Sequence, residues 1–95
     1  MAAAQTDSRI KVERPDAKRL DALKASRWPI WEKEPSTFEW HYVDQETCYL
    51  LEGEVTVTTD QGEVSIRKGD LVTFAKGLGC TWHVKQAVRK HCRFE

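Results

Sequence analysis

Short runs of alternating apolar and polar residues, separated by turn residues, fill the chain from Trp28 onward and constrain its fold more than any other feature. Successive side chains of a β-strand point to opposite faces, so this alternation predicts strands with one buried face. Asp60-Gln61-Gly62 predicts a tight hairpin between two such runs, and Lys68-Gly69-Asp70 predicts another turn. Eight or so strands in so few residues predict a sandwich or barrel. The predicted strands are 28–33, 38–43, 47–51, 54–59, 63–67, 71–75, 80–85 and 87–94.

One helix is predicted before these strands. Ala17, Leu20 and Leu23 recur at helical spacing between Asp16 and Lys24, and Pro15 suits the first helical position. A short strand around residues 10–12 precedes the helix. Residues 1–9 are small and polar, and we expect a flexible segment there, followed by one domain over residues 10–95.

Charge and cysteine content exclude several classes of function. The chain of 95 residues carries 15 basic and 15 acidic side chains, so it lacks the basic excess that nucleic-acid binding requires. No apolar run is long enough for a membrane span, and the first residues do not form a signal peptide. The three cysteines include no CxxC pair, which favours reduced thiols. We therefore expect a soluble, cytoplasmic protein with neither a nucleic-acid nor a membrane partner.

Residues 38–53 read Phe-Glu-Trp-His-Tyr-Val-Asp-Gln-Glu-Thr-Cys-Tyr-Leu-Leu-Glu-Gly, and residues 69–80 read Gly-Asp-Leu-Val-Thr-Phe-Ala-Lys-Gly-Leu-Gly-Cys. These two stretches resemble the two motifs of the cupin superfamily. In the first, Glu46 and Gly53 keep the six-residue gap of the motif, His41 stands at the second histidine position, and Glu39 replaces the first histidine. In the second, Gly69 and Gly77 match, Ala75 stands at the proline position, and Cys80 stands at the metal-binding histidine position.

Residues 10–95 are most similar to the small single-domain cupins of the DUF861 type, which are related to ureidoglycine aminohydrolase. The resemblance implies an all-β jelly-roll barrel with a short N-terminal helix. It also implies that Glu39, His41, Glu46 and Cys80 face the barrel interior as metal ligands. Carboxylates and imidazole suit Mn²⁺, Fe²⁺ or Zn²⁺, and a thiolate favours Zn²⁺ or Fe²⁺. The alternative is a metal-free pocket in which Glu39 and His41 form a polar pair and Cys80 packs as a small apolar side chain.

Lys90 lies on the same strand face as Val88, Cys92 and Phe94, which are expected to be buried. A buried lysine is costly unless it is paired, so Glu39 or Glu46 is its expected partner. Lys90 is thus a candidate pocket and catalytic residue, unless it lies at a frayed edge and extends to water. Trp82 shares a face with Cys80 and is a candidate pocket wall, or a core residue.

Two functions stay open from the sequence. The first is binding of a small molecule in the barrel pocket. The second is metal-dependent hydrolysis of a small nitrogenous or carboxylated metabolite, by resemblance to ureidoglycine aminohydrolase. We also expect a homodimer that uses Trp28, Trp31 or a neighbouring edge strand, because a small aromatic-rich domain gains buried area by pairing.

Overall fold

The computed structural model describes residues 7–95, which form seven strands, one α-helix and a single 3₁₀ turn. The elements are β1 (Ile10–Glu13), α1 (Ala17–Leu23), the 3₁₀ turn (Ala25–Arg27), β2 (Ile30–Lys33), β3 (Ser36–His41), β4 (Glu46–Thr59), β5 (Gly62–Arg67), β6 (Leu71–Phe74) and β7 (Gly79–Phe94). No helix in this part of the chain has both the length and the apolar content to cross a bilayer.

Two long strands organise the sheet. The predicted pairs of short strands at 47–51 and 54–59, and at 80–85 and 87–94, are continuous as β4 and β7. One half of the sheet has the order β1-β6-β4-β7-β2, while β5 and β3 pair with the other ends of β4 and β7. Because β4 pairs antiparallel with β7 from Glu46 to Thr58, the same two strands form the centre of both halves.

Gly53 lies where β4 bends between the two halves. The β4–β7 register shifts around this residue, and its φ of 109° is one that L side chains rarely adopt. A Cβ atom at Gly53 would lie 2.7 Å from the carbonyl oxygen of Ala87 and 2.7 Å from the Cα of Val88. Only glycine therefore allows β4 to approach β7 this closely at the bend.

The two faces of the sheet bury different clusters. The inner face carries the main core, in which Val55, Phe74 and Trp82 are fully buried. On the outer face, the helix and the 3₁₀ turn place Ala25 and Trp28 against Leu71. Asp16 caps the N-terminus of the helix, and its carboxylate accepts a hydrogen bond from the Arg19 backbone N–H. Pro15 therefore precedes the cap and is not the first helical residue.

Asp7 ties the beginning of the described chain to the sheet. Its carboxylate is buried and accepts hydrogen bonds from Arg9 and from the Thr59 hydroxyl. The packed part of the chain thus includes Asp7, three residues before the boundary expected from the sequence. The rest of the segment predicted to be flexible, residues 1–6, lies outside the described residues.

Candidate functional site

An apolar pocket of about 440 Å³ lies inside the domain, between the two halves of the sheet. Its walls come from β2, β3, β7 and the beginning of β4. The lining residues are Pro29, Ile30, Trp31, Phe38, Trp40, Tyr42, Glu46, Trp82, Lys90, Cys92, Arg93 and Phe94. Pockets of this size and apolar character commonly hold small organic molecules.

Aromatic rings form most of the pocket wall. Phe38 stacks on Trp82 with ring centroids 6.1 Å apart, and Trp31 meets Trp82 edge to face at 6.1 Å. Trp40 packs edge to face against Tyr42 and stands at the rim, 46% exposed. The alternation of β3 explains this arrangement: Phe38, Trp40 and Tyr42 follow one another at every second position and so share a face.

Lys90 places an ammonium group at the polar end of the pocket. The residue is 4% exposed, and its Nζ lies 3.5 Å from Oε1 of Glu46, which is also buried. The same Nζ lies 4.6 Å from the ring centre of Trp31 and 4.4 Å from that of Trp82, a cation–π arrangement. Burial alone would lower the pKa of Lys90, but the adjacent Cys48, Cys92 and Glu46 together raise it. Lys90 therefore keeps its charge in this buried position.

Two cysteines adjoin this ion pair. Cys48 and Cys92 are direct neighbours across β4 and β7, and their sulfur atoms lie 3.0 Å apart. The Lys90 ammonium donates to Sγ of Cys48 at 3.4 Å. The hydrogen bond with Cys48 and the charge of Lys90 lower the pKa of Cys92, whereas burial raises the pKa of Cys48. The polar end of the pocket thus combines an ammonium, a carboxylate and the Cys92 thiol, with the Cys48 thiol directly behind it.

Trp82 contributes a further polar group. Its indole N–H lies near the Tyr42 hydroxyl and the Cys80 sulfur, but it reaches hydrogen-bond geometry with no acceptor among residues 7–95. The residue is 1% exposed. A buried donor without an acceptor is costly, so an acceptor atom supplied by a ligand would be stabilising here.

The four residues predicted as metal ligands do not share one pocket. Glu39 and His41 are exposed and point away from the interior, because Phe38 and Trp40 of β3, and Tyr42 directly after it, occupy the inward positions. The expectation that Glu39 and His41 face the interior is therefore wrong. Packing Phe38 and Tyr42 inside, with Trp40 at the rim, stabilises the fold far more than burying a carboxylate and an imidazole, and this decides which face turns inward.

The other predicted residues are buried. Glu46 lies inside the pocket, and its pairing with Lys90 is one of the two pairings expected for that lysine. Trp82 lies in the pocket wall. Cys80 is buried in the main core opposite Trp40 on β3, and burial raises the pKa of its thiol to about 11. Cys80 also borders an outer groove that contains Glu39 and His41.

The sequence interpretation missed the Cys48–Cys92 pair and the inward position of Trp31. Strand alternation contained the signal for the cysteines, because Cys48 follows Glu46 by two residues and Cys92 follows Lys90 by two. The position of Trp31 follows from the β2–β7 register, in which it lies directly opposite Lys90, and alternation alone does not give that register.

Residues 20–92 match the family described as the EutQ-like cupin domain. The chain belongs to this cupin family. The prediction of a small single-domain cupin of the DUF861 type with an all-β fold is thereby confirmed, whereas the resemblance to ureidoglycine aminohydrolase gains no further support. No curated protein matches this cupin.

Solved structures agree with this assignment. A DUF861-family protein of Thermotoga maritima is 53% identical, with a TM-score of 0.89 over 90% of this chain and 99% of its own. The EutQ protein of Clostridium difficile is 25% identical, with a TM-score of 0.64 over 68% of this chain and 52% of its own. A DUF861-family protein of unknown function from Pseudomonas syringae is also 25% identical, with a TM-score of 0.63 over 70% of this chain and 29% of its own. This cupin thus spans about half the length of the Clostridium EutQ chain.

A metal ion in this cupin would have to be held by a donor set of which the sequence interpretation predicted only Glu46. Within the described residues, the donors gathered closely enough for one ion are Glu46, Cys48 and Cys92, whose ligand atoms lie within 4.8 Å of one another. The Lys90 ammonium, however, already contacts Glu46 and Cys48. A divalent ion there would be repelled by this charge at close range, so the cluster does not fit such an ion while Lys90 holds its position.

Proposed function

We propose that this cupin binds a small, flat, largely apolar molecule that carries a hydrogen-bond acceptor at one end. The observation that supports this best is the aromatic pocket with a buried ammonium group at its polar end. The rings of Trp31, Phe38 and Trp82 offer stacking surfaces for the apolar body of the ligand.

The polar groups of the pocket favour an acceptor on the ligand. Lys90 and Trp82 are both donors, and an ammonium or indole N–H does not accept hydrogen bonds. The carboxylate of Glu46 balances the charge of Lys90, so the ligand need not be an anion. A carbonyl or amide oxygen suits these donors without adding charge beside Glu46.

Nuclear magnetic resonance of the four tryptophan indole N–H groups tests this proposal, with benzamide as the probe. We expect saturable shifts for Trp31, Trp40 and Trp82, which line the pocket, and none for Trp28, which lies in the outer cluster. Toluene, which has no acceptor, should bind more weakly than benzamide because it leaves the Trp82 N–H without a partner.

A variant pair completes the test. Trp31→Ala should weaken benzamide binding, since it removes one aromatic wall, while His83→Ala on the outer face should leave binding unchanged. Equal shifts at Trp28 and Trp82, or tighter binding of toluene than of benzamide, would contradict the proposal.

We also propose a cytoplasmic homodimer, and of the three contacts expected from the sequence we favour the edge strand. Trp28 is buried in the outer cluster and Trp31 faces the pocket, so neither offers a free dimer surface. The strand β2 lies at one end of the sheet order and exposes Ile30. Two copies of the chain would therefore pair along the edge formed by β2. Light scattering at tens of micromolar, a concentration suited to specific interfaces, should give twice the chain mass of 11.0 kDa. A mass of one chain would overturn the proposed dimer.

A further inference from the structure

We propose that Cys48 and Cys92 form a redox-active thiol pair, which a small organic hydroperoxide entering the pocket oxidises to a disulfide. This inference is independent of the identity of the pocket's ligand. It rests on the geometry of two neighbouring strands, on the position of the pocket and on the charge of Lys90.

Strand geometry places the two cysteines where a disulfide forms without a shift in register. The two residues are directly opposite in the β4–β7 pairing. The Cys92 backbone N–H donates to the carbonyl oxygen of Pro29, away from β4, so Cys48 and Cys92 are a non-hydrogen-bonded pair. The Cα atoms of such pairs are about 4.5 Å apart, within the range that disulfides span. The sulfur atoms, at 3.0 Å, need only a small further approach.

The surroundings assign different roles to the two thiols. Cys92 is 6% exposed and lines the pocket, whereas Cys48 is fully buried behind it. The Lys90 ammonium stabilises negative charge on the pair, and the pKa of Cys92 is lowered. The thiolate is the nucleophile in thiol oxidation, so Cys92 is the sulfur that meets the oxidant and Cys48 the one that resolves it.

The reaction balances with one hydroperoxide. The Cys92 thiolate attacks the terminal oxygen, the O–O bond breaks, and the alkoxide leaves and takes up a proton to become an alcohol. The Cys48 sulfur then attacks the resulting sulfenic acid, a disulfide forms, and hydroxide leaves with the Cys48 proton as water. Two thiols and one hydroperoxide thus give one disulfide, one alcohol and one water. The aromatic lining suits a hydroperoxide with an apolar group.

Mass spectrometry of the folded, reduced protein treated with one equivalent of cumene hydroperoxide tests the proposal. We expect the loss of two hydrogens and a peptide linked through Cys48 and Cys92. Cys80→Ser is the matched control and should react as the unaltered protein does, since the thiol pair remains. In the unaltered protein, Cys92 should react at least about tenfold faster than Cys80, whose raised pKa leaves little thiolate.

Two further variants separate the roles of the cysteines. Cys48→Ser should stop at a sulfenic acid on Cys92 that a cyclic dione traps, because no second thiol is in reach. Cys92→Ser should not react at the same dose. The proposal is overturned by a disulfide that includes Cys80, by recovery of both Cys48 and Cys92 as free thiols after treatment, or by an equal rate in Cys92→Ser.

Discussion

Removing one charge of the buried Lys90–Glu46 pair should destabilise this cupin far more than removing both. The two charged atoms lie 3.5 Å apart, and the side chains are 5% and 7% exposed. At this distance the Coulomb attraction is about 5 kcal/mol with an effective dielectric constant of about 20. Loss of one partner leaves the other charge buried and unpaired, at a cost of about 3–5 kcal/mol.

The test is a double-mutant cycle of Lys90→Met, Glu46→Leu and the two together. Urea unfolding followed by tryptophan fluorescence at neutral pH gives the free energy of unfolding of each variant, and the buried Trp82 provides a sensitive signal. We expect each single variant to lose about 3–5 kcal/mol, and the double variant to lose less than either. Apolar side chains of similar volume would then fill the space without an uncompensated charge.

A second ion pair on the same strands is the control. Arg89 and Glu32 are cross-strand neighbours on β7 and β2 with N···O 3.6 Å, but both side chains are largely exposed. Replacing either should cost less than about 1 kcal/mol, as is usual for surface pairs. The reasoning would be refuted if Lys90→Met lost no more than the Arg89 variant, or if the losses of Lys90→Met and Glu46→Leu simply added.

Three further outcomes follow from the structure. Gly53→Ala should lower the free energy of unfolding in urea by at least about 2 kcal/mol, and by more than Gly77→Ala does. Both glycines have positive φ, but only Gly53 has backbone atoms within 2.7 Å of the added Cβ. Equal losses of free energy in the two variants would contradict this. Hydrogen bonds from Arg9 hold the pKa of Asp7 below its usual 3.8, so stability should fall as the pH drops below that value, and Asp7→Asn should flatten this dependence in acid titrations of unfolding. Alkylation of Cys80 by iodoacetamide should increase steadily up to about pH 11, and a plateau near neutral pH would show that its thiol is not protected by burial.

Much of the fold follows from local rules, whereas the choice of inner face does not. Turn residues and alternation predicted the strands and the hairpin at Gly62, and the helical spacing of apolar residues predicted the helix. For β3, alternation shows which residues share a face but not which face turns toward the interior. The motif spacing predicted, wrongly, that the face with Glu39 and His41 turns inward. Which face turns inward depends on what the opposite strands present, and those strands are distant in sequence: Trp82 stacks on Phe38, which lies 44 positions earlier in the chain. Long-range packing of this kind is not contained in any single strand.

The Cys48–Cys92 contact illustrates the same limit at the level of the site. The neighbours of each cysteine along its strand indicate that its side chain faces inward. That Cys48 lies opposite Cys92 follows only from the register between β4 and β7. That register depends on the shift around Gly53, where one strand gains residues relative to the other. Sequence alternation gives the face of a residue and does not give its partner.

The two strands that pass through both halves of the sheet also determine how the molecule opens. Because β4 and β7 pair from one end of the domain to the other, each half is built on strands that also belong to the other half. Amide protons of β4 and β7 should therefore exchange with solvent only through global unfolding, and at similar rates on both sides of Gly53. Those of β1, which pairs with β6 alone, can exchange through local fraying at the edge of the sheet. The pocket thus lies within a single cooperative unit, and a ligand that stabilises one wall stabilises the whole domain.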